Sequence, residues 1–108
     1  MLHPQMKRGL LEICVLSALC RGDSYGYRII RDLGECIEVS ESTLYPILRR
    51  LEACGSLESY SVEHNGRLRK FYRITQIGRE QIQEFLQGWK EIAAMYEFIR
   101  EGVSHDEA

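Results

Sequence analysis

The sequence predicts a mainly α-helical fold with one small β-hairpin: three short helices, the hairpin and then one long helix. Three observations support this order. Apolar residues recur with helical spacing in the first half of the chain, Asn65-Gly66 separates two strand-like runs, and a heptad repeat follows residue 75. With 108 residues, 44% of them hydrophobic and 28% charged, the chain has the size and composition of one globular domain.

Apolar periodicity predicts two helices before residue 37. The first is expected over residues 7–19 and should end at the helix-breaking cluster around Gly22. Ser24 is expected to cap the second helix, over residues 25–36, with Ile29, Ile30 and Leu33 facing inward. The predicted inward face of the first helix consists of Leu10, Ile13, Cys14, Ser17 and Ala18.

The third helix is expected between an N-cap at Ser40 and its last residue, Ala53. Gly55 follows at the position where a helix end favours a left-handed residue. Pro46 lies inside this helix, removes one backbone hydrogen bond and is expected to kink or loosen the first turns. The predicted buried stripe consists of Leu44, Ile47, Leu48 and Leu51.

A β-hairpin is predicted next, because Asn-Gly between alternating runs is the strongest signal for a two-residue turn. Strands at 57–64 and 67–74 would pair with residue 57 opposite 74 and residue 63 opposite 68. That register places Leu57, Tyr72 and Ile74 together at the base, toward the core. The tip is basic and contributes little to folding, which favours a binding role.

The last helix is predicted from a cap at Thr75 to about residue 102, with apolar residues at heptad spacing. A helix of about 25 residues is roughly 40 Å long, more than a body of this size can cover. An exposed apolar seam of that length needs a partner, and a symmetric homodimer is the default, whether parallel or antiparallel. The predicted dimerisation residues are Ile82, Phe85, Leu86, Trp89, Ile92, Tyr96 and Ile99.

Three helices followed by a hairpin are typical of a winged helix-turn-helix, in which the third helix enters the major groove of DNA and the hairpin approaches the backbone. Residues 1–73 carry a net charge of +2 and the remainder −4, which fits a DNA-binding body with an acidic extension. Exposed arginines alone usually mark a solvated surface, and the combination with a basic hairpin favours DNA. The predicted DNA-binding residues are Ser42, Thr43, Tyr45, Arg49, Arg50, Asn65, Arg67, Arg69 and Lys70.

These elements divide the chain into a winged helix-turn-helix DNA-binding domain, residues 1–74, and a C-terminal dimerisation helix with a short tail, residues 75–108. The four cysteines form no C-x-x-C pair and have no histidine at ligand spacing. Three of them lie in apolar helical patterns, so we expect small hydrophobic residues in a reducing cytosol, no metal and no cofactor. No phosphate loop or nucleophile–base pair indicates an enzyme. Glu12 interrupts the apolar stretch near the N-terminus, which argues against a signal peptide and predicts a cytoplasmic protein.

Several motifs resemble the PadR family of bacterial transcriptional regulators over nearly the whole chain. They are GDSYGY at 22–27, STLYPILRRLE at 42–52, Gly55, GRLRKFYRIT at 66–75, Gly78 and Trp89. The resemblance implies a dimeric repressor with the third helix in the groove and the N-terminal helix packed on the partner's C-terminal helix. It also places Pro46 at a position where the family carries proline.

The single C-terminal helix is similar to that of the short PadR subgroup, which includes multidrug-sensing repressors. In those proteins a planar aromatic or cationic compound binds between tryptophans at the dimer interface. The resemblance therefore implies an effector site formed by Met6, Ile13, Trp89, Ile92 and Ala93. The simpler interpretation, which we favour, is that Trp89 is part of the dimer core.

Two functional hypotheses follow. The first is a homodimeric repressor that binds an inverted repeat in double-stranded DNA, with half-sites about one helical turn or a multiple apart. The alternative is a winged-helix protein-interaction module with no effector and no specific operator, whose long helix docks a different partner.

Overall fold

The computed structural model describes residues 4–107, so residues 1–3 and 108 of the two predicted domain ranges lie outside the described part. It contains four helices and one hairpin in the predicted order, and a buried cluster of hydrophobic side chains forms the core. The elements are α1 (Pro4–Cys20), α2 (Gly26–Leu33), α3 (Glu41–Ala53), β1 (Leu57–His64), β2 (Arg67–Ile74) and α4 (Gln76–Glu107).

Helix α1 begins three residues earlier than predicted, at Pro4, which a first helical turn tolerates because its backbone nitrogen needs no partner there. The predicted inward face was wrong. Leu10, Ile13, Cys14 and Ala18 are only partly buried and Ser17 is exposed. The core instead takes the opposite side of the helix, which carries the bulkier side chains Leu11, Val15, Leu16 and Leu19.

Helix α2 is shorter than predicted at both ends. Its N-cap is Tyr25, not Ser24, and it ends at Leu33 because the chain turns at Gly34. Ser24 is buried in a β-bridge with Tyr72, where the two residues exchange backbone hydrogen bonds of 3.1 and 2.7 Å. Ile29 and Leu33 are buried as predicted, and Ile30 is partly buried against the core.

Helix α3 buries all four predicted residues, Leu44, Ile47, Leu48 and Leu51. Pro46 does not interrupt the helix. It has no N–H to donate to the carbonyl of Ser42, but Ser42 lies in the exposed first turn. Ser40 occupies the N-cap position, but its hydroxyl makes no backbone cap bond. The helix ends as predicted: Gly55 has a φ of +79°, and Ser56 N–H donates to Leu51 O at 2.9 Å, as in a Schellman motif.

The hairpin has the predicted register, with Leu57 opposite Ile74 and Glu63 opposite Leu68. Asn65 (φ 52°) and Gly66 (φ 77°) form the turn, both with the positive φ that a type I′ turn requires. The predicted base residues, Leu57, Tyr72 and Ile74, are all at most 5% exposed. The hairpin base is therefore part of the core, and its tip, residues 61–70, is exposed.

Helix α4 begins after Thr75, whose Oγ1 accepts a hydrogen bond from Gly78 N–H at 3.3 Å and donates to Gly55 O at 2.5 Å. It continues to Glu107, about five residues beyond the prediction, and its 32 residues span about 48 Å. The protomer is 68 Å long and only 26 Å wide. Most of α4 therefore projects beyond the body.

The cysteines were predicted to act as small hydrophobic residues, but three of them lie at the surface and not in the core. Cys20, Cys36 and Cys54 are exposed, and only Cys14 is partly buried. Burial raises the pKa of the Cys14 thiol above its ordinary value, with a smaller contribution from nearby Cys36. All four are free thiols.

Candidate nucleic-acid interface

The solvent face of α3 presents all five residues that were predicted to contact DNA there. Ser42, Thr43, Tyr45, Arg49 and Arg50 are exposed, opposite the buried leucine stripe. The Ser40 hydroxyl lies 3.0 Å from Ser42 Oγ and donates to Thr43 Oγ1 at 3.2 Å. The hydroxyl groups at the start of α3 thus hold one another in place.

A cleft of about 840 Å³ separates α3 from the hairpin and is called the wing cleft below. It is bounded by the start of α2, by Tyr45 and Arg49 on α3, and by the tip residues Asn65, Arg67, Arg69 and Lys70. Six of the nine predicted DNA-binding residues therefore line one concave surface. Four of the six are cations, which suits a polyanion such as a phosphate backbone.

The β1–β2 hairpin is the wing of this fold, and two of its cations also hold it to the body. The Arg69 guanidinium lies 4.4 Å from the centroid of the Tyr25 ring. Lys70 Nζ lies 3.9 Å from Glu52 Oε1 and 5.7 Å from the Tyr72 ring. Arg67 has no such contact within the described residues, so it is the tip cation most available to a ligand.

The remaining three predicted residues, Ser42, Thr43 and Arg50, lie on the other flank of α3, facing α1. Arg50 Nη2 forms an ion pair with Glu12 Oε1, and Glu12 is only 9% exposed. Arg50 was predicted to bind DNA, and its ion pair with Glu12, 38 positions away along the chain, was not predicted. Because Arg50 neutralises a buried carboxylate, it also supports the packing of α1 on α3.

Tyr45 is also constrained by a neighbour that sequence reasoning missed. Its ring lies against Gly26 at the start of α2, where an added Cβ would be 2.4 Å from Tyr45 Oη. Gly26 therefore provides the space that positions the Tyr45 hydroxyl at the cleft. Tyr25, Tyr27 and His64 line the same cleft and were not predicted. The two tyrosines flank Gly26 in the GDSYGY motif, which was the available signal.

A polar cluster fixes the hairpin relative to the α1–α2 loop. Asp23 Oδ2 accepts hydrogen bonds from Tyr60 Oη at 2.7 Å and from Arg73 Nε at 3.1 Å. The bond to Asp23 raises the pKa of Tyr60, because the carboxylate favours the protonated phenol, and the charge of Asp23 raises the pKa of Arg73. The contacts of Asp23 with Tyr60 and Arg73 thus help to hold the hairpin in its position beside α3.

The apolar residues predicted for dimerisation and effector binding lie mainly along α4. Ile82 packs against the core and Phe85 is partly buried, whereas Leu86, Trp89 and Ile92 are about half exposed. Tyr96 and Ile99 are exposed further along, as are Met95 and Phe98, which were not predicted. Phe85 and Trp89 stack with ring centroids 6.0 Å apart. The predicted effector residues Met6 and Ala93 are exposed, and Ile13 is partly buried.

The fold agrees with comparisons with known proteins. Residues 15–84 match the Transcriptional regulator PadR-like family. The chain belongs to this family. It is 32% identical to transcriptional regulator Rv3488 of Mycobacterium tuberculosis over 90 residues, covering 82% of this chain and 84% of the relative. The family is one of transcriptional regulators and not a class of enzymes.

Solved PadR-family structures share the fold. A PadR family transcriptional regulator from Eggerthella lenta matches with a TM-score of 0.80 and 34% identity, covering 90% of this chain and 87% of that one. PadR of Bacillus subtilis, solved in complex with operator DNA, matches with a TM-score of 0.65 and 23% identity, covering 70% and 46%. The winged helix-turn-helix prediction is confirmed.

None of the helices between residues 4 and 107 is long and apolar enough to cross a membrane. Within that same range, no three His, Cys, Asp or Glu side chains are grouped so that they could hold a metal ion.

Proposed function

We propose that this PadR-family regulator is a homodimeric repressor that binds an inverted repeat in double-stranded DNA. The observation that carries this proposal is the wing cleft, where polar α3 side chains and the cations of the hairpin share one concave surface. Helix α3 would lie in the major groove, where hydrogen-bonding side chains distinguish bases, and the wing would bind phosphates. Ser42, Thr43, Tyr45 and Arg49 would contact base edges. Asn65, Arg67, Arg69 and Lys70 would contact the backbone.

Dimerisation is supported by two apolar surfaces that the protomer leaves exposed or only partly covered. One is the seam of α4, where Tyr96 and Ile99 are 60% and 64% exposed. The other is the side of α1 opposite the core, which carries Met6, Leu10 and Ile13. A second copy could cover both if α1 of each protomer packed on α4 of its partner. In this arrangement residues 1–74 bind DNA and residues 75–108 join the protomers.

The proposed effector site lies in this dimer interface. The Trp89 ring is 48% exposed and stacked on Phe85, so one of its faces is covered within the protomer. In the dimer it would serve either as apolar core or as one wall for a planar aromatic compound. Quenching of Trp89 fluorescence by planar cations, absent with a non-planar amine of equal charge, would support an effector. No quenching would leave Trp89 as dimer core.

The first experiment is fluorescence anisotropy of the protein on the duplex upstream of its own gene and on a scrambled duplex, over a salt series. If the three cations of each wing, Arg67, Arg69 and Lys70, bind phosphates, a dimer makes six such contacts. These six contacts should then contribute about −5 to the slope of log Kobs against log salt. Equal and weak binding to both duplexes, with a monomeric mass at micromolar concentration, would instead favour the protein-interaction module.

Two substitutions separate the proposed roles of wing and helix. Arg67→Gln should weaken binding to both duplexes equally and reduce the salt slope. Ser42→Ala should reduce the preference for the specific duplex without changing the slope. Lys90→Gln removes the same charge from exposed α4 and serves as the matched control for Arg67→Gln. If Arg67→Gln and Ser42→Ala acted alike, the division of roles would be wrong.

A further inference from the structure

The two flanks of α3 face different surroundings. Tyr45 and Arg49, one helical turn apart, line the wing cleft. Ser42, Pro46 and Arg50, also spaced by four residues, line a second groove of about 850 Å³ on the opposite flank. The other wall of this groove is the N-terminal half of α1, and we call it the α1–α3 groove.

The α1–α3 groove is cationic at its α1 wall. Lys7 and Arg8 are exposed there, and neither pairs with an acid within the described residues. Glu12 is the acid of the groove, and Arg50 already neutralises it. The groove therefore carries two uncompensated positive charges beside the α3 residues Ser42 and Thr43.

These two cations are not explained by the folding of α1. The helix dipole disfavours positive charge near an N-terminus and favours acids there. Lys7 and Arg8 are nevertheless the fourth and fifth residues of α1, and its first turn contains no acid. Beneath them, Leu11 packs into the core with Ile47, and the Glu12–Arg50 pair joins the same two helices. The cations are thus held at a fixed place relative to α3.

We propose that Lys7 and Arg8 bind DNA phosphates on the side of the major groove away from the wing. The major groove is bordered by two phosphate backbones about 12 Å apart, and an α-helix fills the space between them. A helix flanked by cations on one side only would leave the other backbone without a partner. Here the wing would contact one backbone and the start of α1 the other. This inference rests on the proposed DNA-binding function and adds a second contact surface to it.

The test compares two double variants with the same change of charge. Lys7→Gln/Arg8→Gln removes the cations of the groove, and Lys90→Gln/Arg100→Gln removes a lysine and an arginine from exposed α4. Each is titrated by anisotropy onto a duplex that wild type binds selectively, over a salt series. For a dimer, loss of four phosphate contacts should reduce the magnitude of the salt slope by about 3.6, and the control should leave it unchanged.

The preference for the specific over a scrambled duplex should survive in the groove variant, because phosphates carry no sequence information. Selective wild-type binding with an unchanged slope in Lys7→Gln/Arg8→Gln would overturn this inference and leave the proposed function standing. An equal loss of slope in both double variants would overturn it as well, because the effect would then reflect net charge. Absence of selective, salt-dependent binding by wild type would contradict the proposed function itself.

Discussion

Replacing Gly78 with alanine tests how α4 is joined to the body of the protomer. Gly78 lies in the first turn of α4 and is buried. A Cβ there would be 2.2 Å from Ser56 O and 2.7 Å from Ile74 Cγ1, well inside contact distance. The Ser56 carbonyl is held in place, because it accepts a hydrogen bond from Thr75 N–H at 3.1 Å. The whole start of α4 must therefore shift.

The expected magnitude combines two opposing effects. Alanine in place of glycine within a helix favours folding by about 1 kcal/mol. Overpacking a close contact costs roughly 1–3 kcal/mol, and more when backbone atoms must move. With a backbone oxygen at 2.2 Å, the overpacking cost should dominate, so Gly78→Ala should lower the free energy of unfolding by about 2 kcal/mol or more.

The matched control is Gly88→Ala, ten residues further along the same helix, where an added Cβ meets nothing within 4 Å. This substitution should raise stability by about 0.5–1 kcal/mol. Urea unfolding followed by circular dichroism at one protein concentration measures both, because association would make stability depend on concentration. Equal stability of the two variants would refute the close approach of α4 to the Ser56 carbonyl.

Three further predictions concern the interface and its supports. Arg50→Gln should lower the free energy of unfolding in urea by about 1–2 kcal/mol, less than for a fully buried pair because the Arg50 side chain is 61% exposed. Adding Glu12→Gln should restore most of this loss. If the effects of the two substitutions simply added, Arg50 and Glu12 would not be interacting. Gly26→Ala should leave stability nearly unchanged, since only the end of the Tyr45 side chain must move. It should nevertheless alter the preference for the specific over the scrambled duplex, measured by anisotropy. An unchanged preference would mean that Tyr45 makes no base contact. Burial raises the pKa of Tyr72 above its ordinary value of 10.0, so the stability that its protonated form contributes is complete below pH 10 and is lost as the pH rises further. Tyr72→Phe should therefore reduce the loss of stability at alkaline pH in a pH series of urea unfolding. An identical loss in the variant would contradict the raised pKa of Tyr72.

Local signals predicted several elements correctly. The hairpin register follows from the two residues Asn65 and Gly66, which impose a turn geometry, and alternation then assigns each strand residue to a face. The end of α3 follows from Gly55, because a left-handed residue there favours glycine. These predictions succeed because the determining interactions lie within a few residues of one another.

Features that depend on the tertiary fold were missed. Both sides of α1 are apolar, so periodicity alone cannot tell which side meets the core; Val15 and Leu16 are fully buried, whereas Ile13 is not. The Asp23–Tyr60 hydrogen bond spans 37 positions, and no sequence spacing indicates it. The candidate interface was thus predicted as a set of residues, but its division into two flanks of α3 required the structure.

The most direct test of the central claim is to select duplexes from a random pool with the purified protein and to sequence those that are retained. A homodimer with one α3 in each of two major grooves predicts an inverted repeat, with half-site centres about 10 base pairs or a multiple apart. Substitution of Ser42 should change the bases selected within each half-site and leave the spacing intact. Enrichment of a single unrepeated motif, or of no motif, would contradict the proposal of a dimeric, sequence-specific regulator.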